Sequence, residues 1–297
     1  MQKINIEYFE EVIMLMSEKI SDIMTKNPVV LVAPATRNDA LKLMIKNNIT
    51  GLPVIEENKK YIGMITRRDI FEKPEEDQIA LIMREDAPII SPNENINKGA
   101  EIFIKTKRRH IAVIDDKKRV VGIVTPYDYL KLIYQKKIQD PVERFVKNPC
   151  ILVHQSTPLK VVFKMITLTK INAFPVVDDD ANLVGVVTDR DIFENAKVET
   201  NEATSQLGIG EDEDSWTWEG MRNILKILYV EEKLELPKSP VADVMVKNPI
   251  TALNKLPAYK AAKIMIDNNF SQLPLRDSYD ALVAMLYDTD LLEVFKE

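Results

Sequence analysis

Apolar and polar positions follow one order four times along the chain. A short apolar run comes first, at 29–32, 89–90, 151–153 and at Ile250, each just after a proline. Proline before a β-branched run marks a strand entry. A polar turn and an amphipathic stretch follow; in the first copy Ala40, Leu41, Met44 and Ile45 fall on one helical face. A second run then appears as Leu52-Pro53-Val54-Ile55, Ile111-Ala112-Val113-Ile114, Phe174-Pro175-Val176-Val177 and Leu273-Pro274-Leu275. A charged turn leads to a third run, and a helix closes the unit. The predicted unit is strand, helix, strand, strand, helix, an α/β (α+β) class built by repetition.

The third run carries a fixed frame: glycine, two apolar residues, threonine, two variable residues, aspartate, two apolar residues. It reads Gly63 to Phe71, Gly122 to Leu130 and Gly185 to Phe193. A worn copy, Ala284 to Leu292, has alanine for the glycine and Tyr287 for the threonine. The chain has only 8 glycines, and three of them open this frame, so chance placement is a poor account.

These patterns divide the chain into a lead-in helix at 1–16, repeat units at 17–72, 78–136, 139–196 and 239–297, and an insertion at 199–238. The lead-in places Ile6, Phe9, Ile13 and Met16 on one face and is expected to pack on the first unit. The insertion holds Trp216 and Trp218 in an acidic loop, then a predicted helix over 219–236 with Ile224, Leu225 and Leu228 as its apolar stripe. It is the candidate surface for a protein partner.

Charge narrows the function classes. Seven acids and no Lys or Arg lie in 198–221, so the net charge of −6 sits in the insertion and the remainder is near neutral. That is not the basic footprint of a nucleic-acid binder. No apolar run approaches the ~20 residues of a membrane span. Cys150 is the single cysteine, which excludes an intrachain disulfide and favours the cytoplasm. His154 lies alone in a polar turn and is given no role. No nucleophile–base set, Walker loop or metal-ligating cluster stands out, so the chain reads as a non-enzyme without catalytic cofactor or metal.

The frame threonines and aspartates have two readings. A threonine at a strand-to-helix junction followed three residues later by an aspartate is a good helix cap. The same pair can also grip a ligand. The basic run Lys105 to His110 reads alone as a solvated turn at a helix end.

Four such units, each closing on Gly-x-x-Thr-x-x-Asp, resemble cystathionine-β-synthase (CBS) domains. The resemblance covers nearly the whole chain outside the lead-in and the insertion. CBS units pair into Bateman modules, which implies that units one and two form one module and units three and four another. Four units resemble the γ subunit of AMP-activated kinase and its archaeal relatives, in which two modules form a disc. The resemblance implies adenosine-containing ligands. Asp69, Asp128 and Asp191 would then hold ribose hydroxyls, with Asp290 a weak fourth. Thr66, Thr125, Thr188, Arg67, Arg68 and Arg190 would meet phosphate. So would Arg108, Arg109 and His110, which occupy the column before the second strand. Ile49, Thr50 and Gly51, with Ile171, Asn172 and Ala173, would line the base side. Because Tyr287 stands where a threonine should receive phosphate, the cleft closed by unit four is expected to be the weakest.

The function implied is a regulatory protein that binds AMP, ADP or ATP between paired units and reports energy or metabolite state. Alternatives are a scaffolding or nucleic-acid-binding CBS protein, or a module for S-adenosylmethionine, a dinucleotide or a divalent cation. A homodimer is compatible with this reading.

Overall fold

The computed structural model describes residues 18–73, 76–147, 149–195, 197–205, 227–235 and 238–296. The lead-in helix expected at 1–16 lies outside them.

Each unit repeats the expected order. Unit one has α1 (Ile20–Ile23), β1 (Thr25–Lys26), β2 (Leu31–Val32), α2 (Arg37–Asn47), β3 (Gly51–Ile55), β4 (Tyr61–Thr66) and α3 (Arg67–Glu72). Unit two has α4 (Ile79–Ile82), β5 (Ile89–Ile90), α5 (Ile96–Thr106), β6 (Ile111–Ile114), β7 (Val120–Val124) and α6 (Pro126–Gln135). Unit three has a 3-10 turn (Val142–Arg144), β8 (Val153–His154), α7 (Leu159–Thr169), β9 (Ala173–Val177), β10 (Leu183–Thr188) and α8 (Asp189–Glu194). The insertion contributes β11 (Lys197–Ser205) and β12 (Ile227–Glu235). Unit four has a 3-10 turn (Val241–Asp243), β13 (Val246–Lys247), β14 (Ala252–Leu253), α9 (Ala258–Asn268), β15 (Gln272–Arg276), β16 (Leu282–Tyr287) and a 3-10 helix (Asp290–Phe295).

In every unit the first full strand pairs parallel with the second, and the second pairs antiparallel with the third. The helix between the first two strands always spans 11 residues and ends on a left-handed residue: Asn48, Lys107, Lys170 or Asn269. These stops break the helix and turn the chain into the second strand.

Two expectations are corrected. Ile45 was placed with Ala40, Leu41 and Met44 on the buried face of α2. It is 67% exposed, because the buried stripe runs through Arg37, Ala40, Leu41 and Met44 and Ile45 falls past its edge. The helix expected over 219–236 is not formed by its second half. Ile227–Glu235 is a strand, paired antiparallel with Lys197–Ser205 from Ser205↔Ile227 to Lys197↔Glu235. That pairing supplies cross-strand backbone partners, which outweigh a weak helical stripe. Ile224, Leu225 and both tryptophans lie outside the described residues.

The lead-in segments are exchanged within each module. Ile20 packs in the core of unit two, while Ile79 and Ile82 pack in the core of unit one. Val142 packs with unit four and Val241 with unit three. Strand β1 accordingly pairs with β7, and β13 with β10. Burying an apolar side chain is worth ~1.5–3 kcal/mol, so each exchange ties two units together.

The frame glycines serve this exchange. A Cβ on Gly122 would lie 2.4 Å from the Met24 sulfur, and one on Gly185 would lie 2.4 Å from the Met245 sulfur. At Gly63 it would meet the Arg84 carbonyl oxygen at 2.9 Å. A methionine of the partner's lead-in crosses there in each case. In the worn frame Ala284 replaces the glycine, and the lead-in column holds the smaller Val146 in place of methionine.

The sheets of units one and two meet through Met64, Ala112 and Ile123; those of units three and four meet through Ala173, Val186, Met285 and Tyr287. The two modules then join through their helices. Units two and four share one core, where Tyr129 meets Phe103 and Phe295 edge-on at 5.9 and 5.2 Å. Units one and three touch through Phe71 and Phe163, with ring centroids 5.4 Å apart.

Candidate functional site

Both readings of the frame bear on one geometry. Thr66, Thr125 and Thr188 each precede a helix. Asp69 Oδ2 accepts from the Thr66 N–H at 2.9 Å and the hydroxyl at 2.5 Å. Asp128 Oδ2 accepts the same pair from Thr125 at 2.9 Å each, and Asp191 Oδ2 from Thr188 at 2.7 Å each. In the worn frame Asp290 Oδ2 accepts the Tyr287 N–H at 2.9 Å. The capping role expected of the threonine–aspartate pairs is therefore realised in units one to three, whereas in unit four Asp290 keeps the backbone bond from Tyr287 without a threonine. These bonds commit one oxygen of each aspartate.

A second backbone bond sets these helix starts beside the column preceding the second strand. The Arg67 N–H donates to Thr50 O at 3.1 Å, the Asp189 N–H to Asn172 O at 3.0 Å and the Asp288 N–H to Ser271 O at 2.8 Å. Unit two has Pro126 at this position, which has no N–H to give.

The outward oxygens differ. Asp69 Oδ1 receives Arg84 Nε. Asp128 Oδ1 faces Lys131 Nζ at 3.5 Å. Burial pushes the Asp128 carboxyl above its ordinary value, against the Thr125 hydrogen bonds and Lys131. A buried carboxylate with one lightly engaged oxygen is suited to accept hydroxyl protons.

The basic residues expected at phosphate are largely spent on the join between modules. Arg109 makes a bidentate pair with Asp288, Nη1 to Oδ1 at 2.8 Å and Nη2 to Oδ2 at 2.6 Å. Burial disfavours the Arg109 charge, but Asp288 outweighs it and holds the guanidinium above its ordinary value. Arg68 Nη2 donates to Asn172 Oδ1, and Arg190 Nη2 donates to Asn48 Oδ1, so the two contacts cross units one and three in mirrored fashion. Burial lowers the Arg68 value, with Asp189 opposing most strongly. Arg67 is buried at the start of α3. Arg108 makes no side-chain hydrogen bond among the described residues and lies near enough to Arg68 to repel it.

His110 is committed to the partner unit. Its Nε2 lies 2.9 Å from Thr50 Oγ1, and its ring rests on Gly51, where a Cβ would sit 3.0 Å from it. Burial first, then Arg109 and Arg67, push its value down from 6.5 to about 3. The ring is neutral at neutral pH and adds no charge for a phosphate. Since the folded state resists protonation, its stability contribution is full above pH 6.5 and is lost as pH falls toward about 3. We expect His110→Gln, which can still bond Thr50, to flatten the fall of the melting temperature between pH 6.5 and 4. An unchanged pH profile would contradict the desolvated neutral ring.

One open space lies at the cleft the sequence places as weakest. A cavity of about 230 Å³ is walled by units two, three and four, just under the ~300–1,000 Å³ of small-ligand sites. It gathers Asp290, Thr289, Thr169, Ile171 and Asn172 with Lys107, Arg109, Lys147 and Lys170. The void between units one and three, beside Arg67 and Arg68, is far smaller at about 20 Å³. Tyr287, expected to obstruct, is folded into the wall: its hydroxyl donates to Ala173 O at 2.8 Å. Lys147 pairs with Glu293 at 2.7 Å and Lys170 with Glu72 at 3.1 Å. Of the sequence candidates the cavity unites Arg109, Ile171, Asn172 and Asp290. The three lysines were not foreseen; they lie outside the frame, at two helix ends and a lead-in.

His154 lies between Ser156 Oγ (2.7 Å from Nδ1) and Asp179 Oδ1 (3.1 Å from Nε2). Asp179 is 90% exposed and the Ser156 N–H also bonds the ring, which makes the set a turn clasp on the surface. Among the described residues no group of three metal-ligating side chains converges, and no helix is long and apolar enough to cross a membrane.

The geometry of four exchanged strand–helix–strand–strand–helix units with their frame aspartates at helix starts defines a tandem-repeat protein. The family model described as "CBS domain" matches residues 20–76, 78–135, 142–197 and 241–297, and the chain belongs to that family. In sequence it is 24% identical over 196 residues to MJ1225 of Methanocaldococcus jannaschii, spanning 60% of this chain and 69% of that protein. It is 29% identical over 135 residues to MJ0188 of the same organism, spanning 45% of this chain and 51% of that protein. The crystal structure of MJ1225, described there as a proposed archaeal homologue of the AMP-activated kinase γ subunit, matches with a TM-score of 0.73 at 20% identity over 94% of this chain and 100% of that one. A conserved protein from Pyrococcus horikoshii matches with a TM-score of 0.63 at 24% identity over the same shares. At these identities the structural likeness establishes the fold.

Proposed function

We propose that this chain is a non-enzymatic regulatory protein that binds an adenine nucleotide of the AMP, ADP or ATP class between paired CBS units. The observation that carries the reading is the cavity at Asp290. A carboxylate stands there with threonine and asparagine side chains and with cations from three segments. A carboxylate accepts both hydroxyls of a ribose, and lysines receive phosphate as point charges. Family membership supports the same ligand class. The cations disfavour S-adenosylmethionine at this cavity, because its sulfonium would be repelled.

The cavity touches three of the four units, so a nucleotide there can bias how the modules sit. It does so only through a difference in affinity between two arrangements. The insertion is the proposed partner surface, and the cytoplasm the proposed location.

A ligand specific to the folded state raises the melting temperature. We expect AMP, ADP or ATP to do so in a screen that includes adenosine, S-adenosylmethionine and NADH. AMP should exceed adenosine, by a margin that shrinks with salt. No shift with any phosphorylated adenosine would overturn the reading.

A further inference from the structure

Unit one differs from the others at its frame aspartate. Asp69 is buried, and neither of its oxygens is left for a ligand. Oδ2 accepts both Thr66 protons, and Oδ1 accepts Arg84 Nε. One helical turn on, Glu72 Oε2 accepts Arg84 Nη2 at 2.7 Å, so the guanidinium is clasped between two carboxylates of α3. Its backbone is pinned as well: the Arg84 N–H donates to Met64 O at 2.8 Å, and the Met64 N–H donates to Arg84 O at 3.0 Å.

The equivalent lead-in positions of the other units carry Thr25, Lys147 and Val246. Two of these have no charge. Lys147 pairs with Glu293. The aspartate of unit two faces Lys131 at 3.5 Å. In unit one a guanidinium sits directly on the frame carboxylate.

We infer that Arg84 closes the Asp69 cleft to ribose, making it a specificity residue that sets how many of the four clefts take a nucleotide. A ribose diol must donate to a carboxylate oxygen. Here it would have to displace a charge-assisted bond, which is roughly twice as strong as a neutral one. It would also leave a partly buried guanidinium with Glu72 as its one remaining carboxylate partner in the clasp. Burial works against the Arg84 charge, yet Asp69 and Glu72 hold it above its ordinary value, in keeping with a tight clasp. The Arg84 side chain is 28% exposed, so removing it opens a path to Asp69 from solvent. The two backbone bonds to Met64 do not depend on the side chain and should survive its loss.

This inference rests on the nucleotide reading, and the test separates the two. AMP is titrated by calorimetry into the full chain, Arg84→Ala, Asp69→Asn and the double variant. We expect Arg84→Ala to bind one more AMP per chain than the wild type. The added site should vanish in the double variant. Asp69→Asn alone should leave the wild-type stoichiometry and affinity unchanged. If the wild type binds AMP and Arg84→Ala adds no site, this inference fails alone. It also fails alone if Asp69→Asn removes a wild-type site, an arm that still decides should Arg84→Ala not fold. Binding by neither the wild type nor Arg84→Ala overturns both readings.

Discussion

Arg109→Met is expected to destabilise the chain by about 3 kcal/mol. Asp288 is 1% exposed, and its carboxylate is held by both terminal nitrogens of Arg109. Methionine keeps most of the length and apolar stem but leaves the buried carboxylate with no counterion. Breaking a buried pair by removing one partner costs ~3–5 kcal/mol. The lower end applies because the Arg109 side chain keeps 27% exposure and water can reach part of the pair. Adding Asp288→Leu should restore much of the loss, since the uncompensated charge is then gone. Denaturant unfolding of both variants checks this. A loss under about 0.5 kcal/mol for Arg109→Met would match an exposed pair and contradict the buried one.

The unit, its order of elements and its capped aspartates were legible because they are local. The strand runs, the helix stops and the threonine–aspartate spacing all lie within about sixty residues of each other. What each basic residue touches was not. Arg109 reaches Asp288, Arg68 reaches Asn172 and Arg190 reaches Asn48, and each contact joins the two modules. No local pattern encodes a partner more than a hundred residues away. Guanidinium groups look alike to a sequence reader whether they await phosphate or an asparagine.

The partner of Tyr287 was hidden for a related reason. Tyr287 was read as an obstacle because its hydroxyl reaches farther than that of a threonine. That reach carries its hydroxyl to Ala173 O, so the ring packs into the wall of the cavity that also holds Asp290. The insertion helix failed differently. Its apolar residues satisfy a helical stripe only loosely, and the backbone partner over 197–205 was not visible from β12 alone.

Asp290→Asn is expected to weaken AMP binding by roughly 10- to 100-fold, while the melting temperature moves little. A hydrogen bond to a charged group is worth ~1.5–3 kcal/mol, and each 1.4 kcal/mol is about tenfold in affinity. Asparagine can still accept the Tyr287 N–H through its carbonyl oxygen, so the cap at 2.9 Å is retained and the fold is not at stake. What is lost is the negative charge at the cavity wall. Calorimetric titration beside a melting curve separates the two effects. An equal loss of stability and binding would reassign Asp290 to capping alone.

The most direct measurement is a crystal structure of the full chain grown with AMP. The account predicts AMP density in the cavity among units two, three and four. Its ribose hydroxyls should lie within hydrogen-bond distance of Asp290, with the phosphate among Lys107, Lys147 and Lys170. An empty cavity at saturating AMP, or a nucleotide held with its phosphate against Asp290, would contradict it.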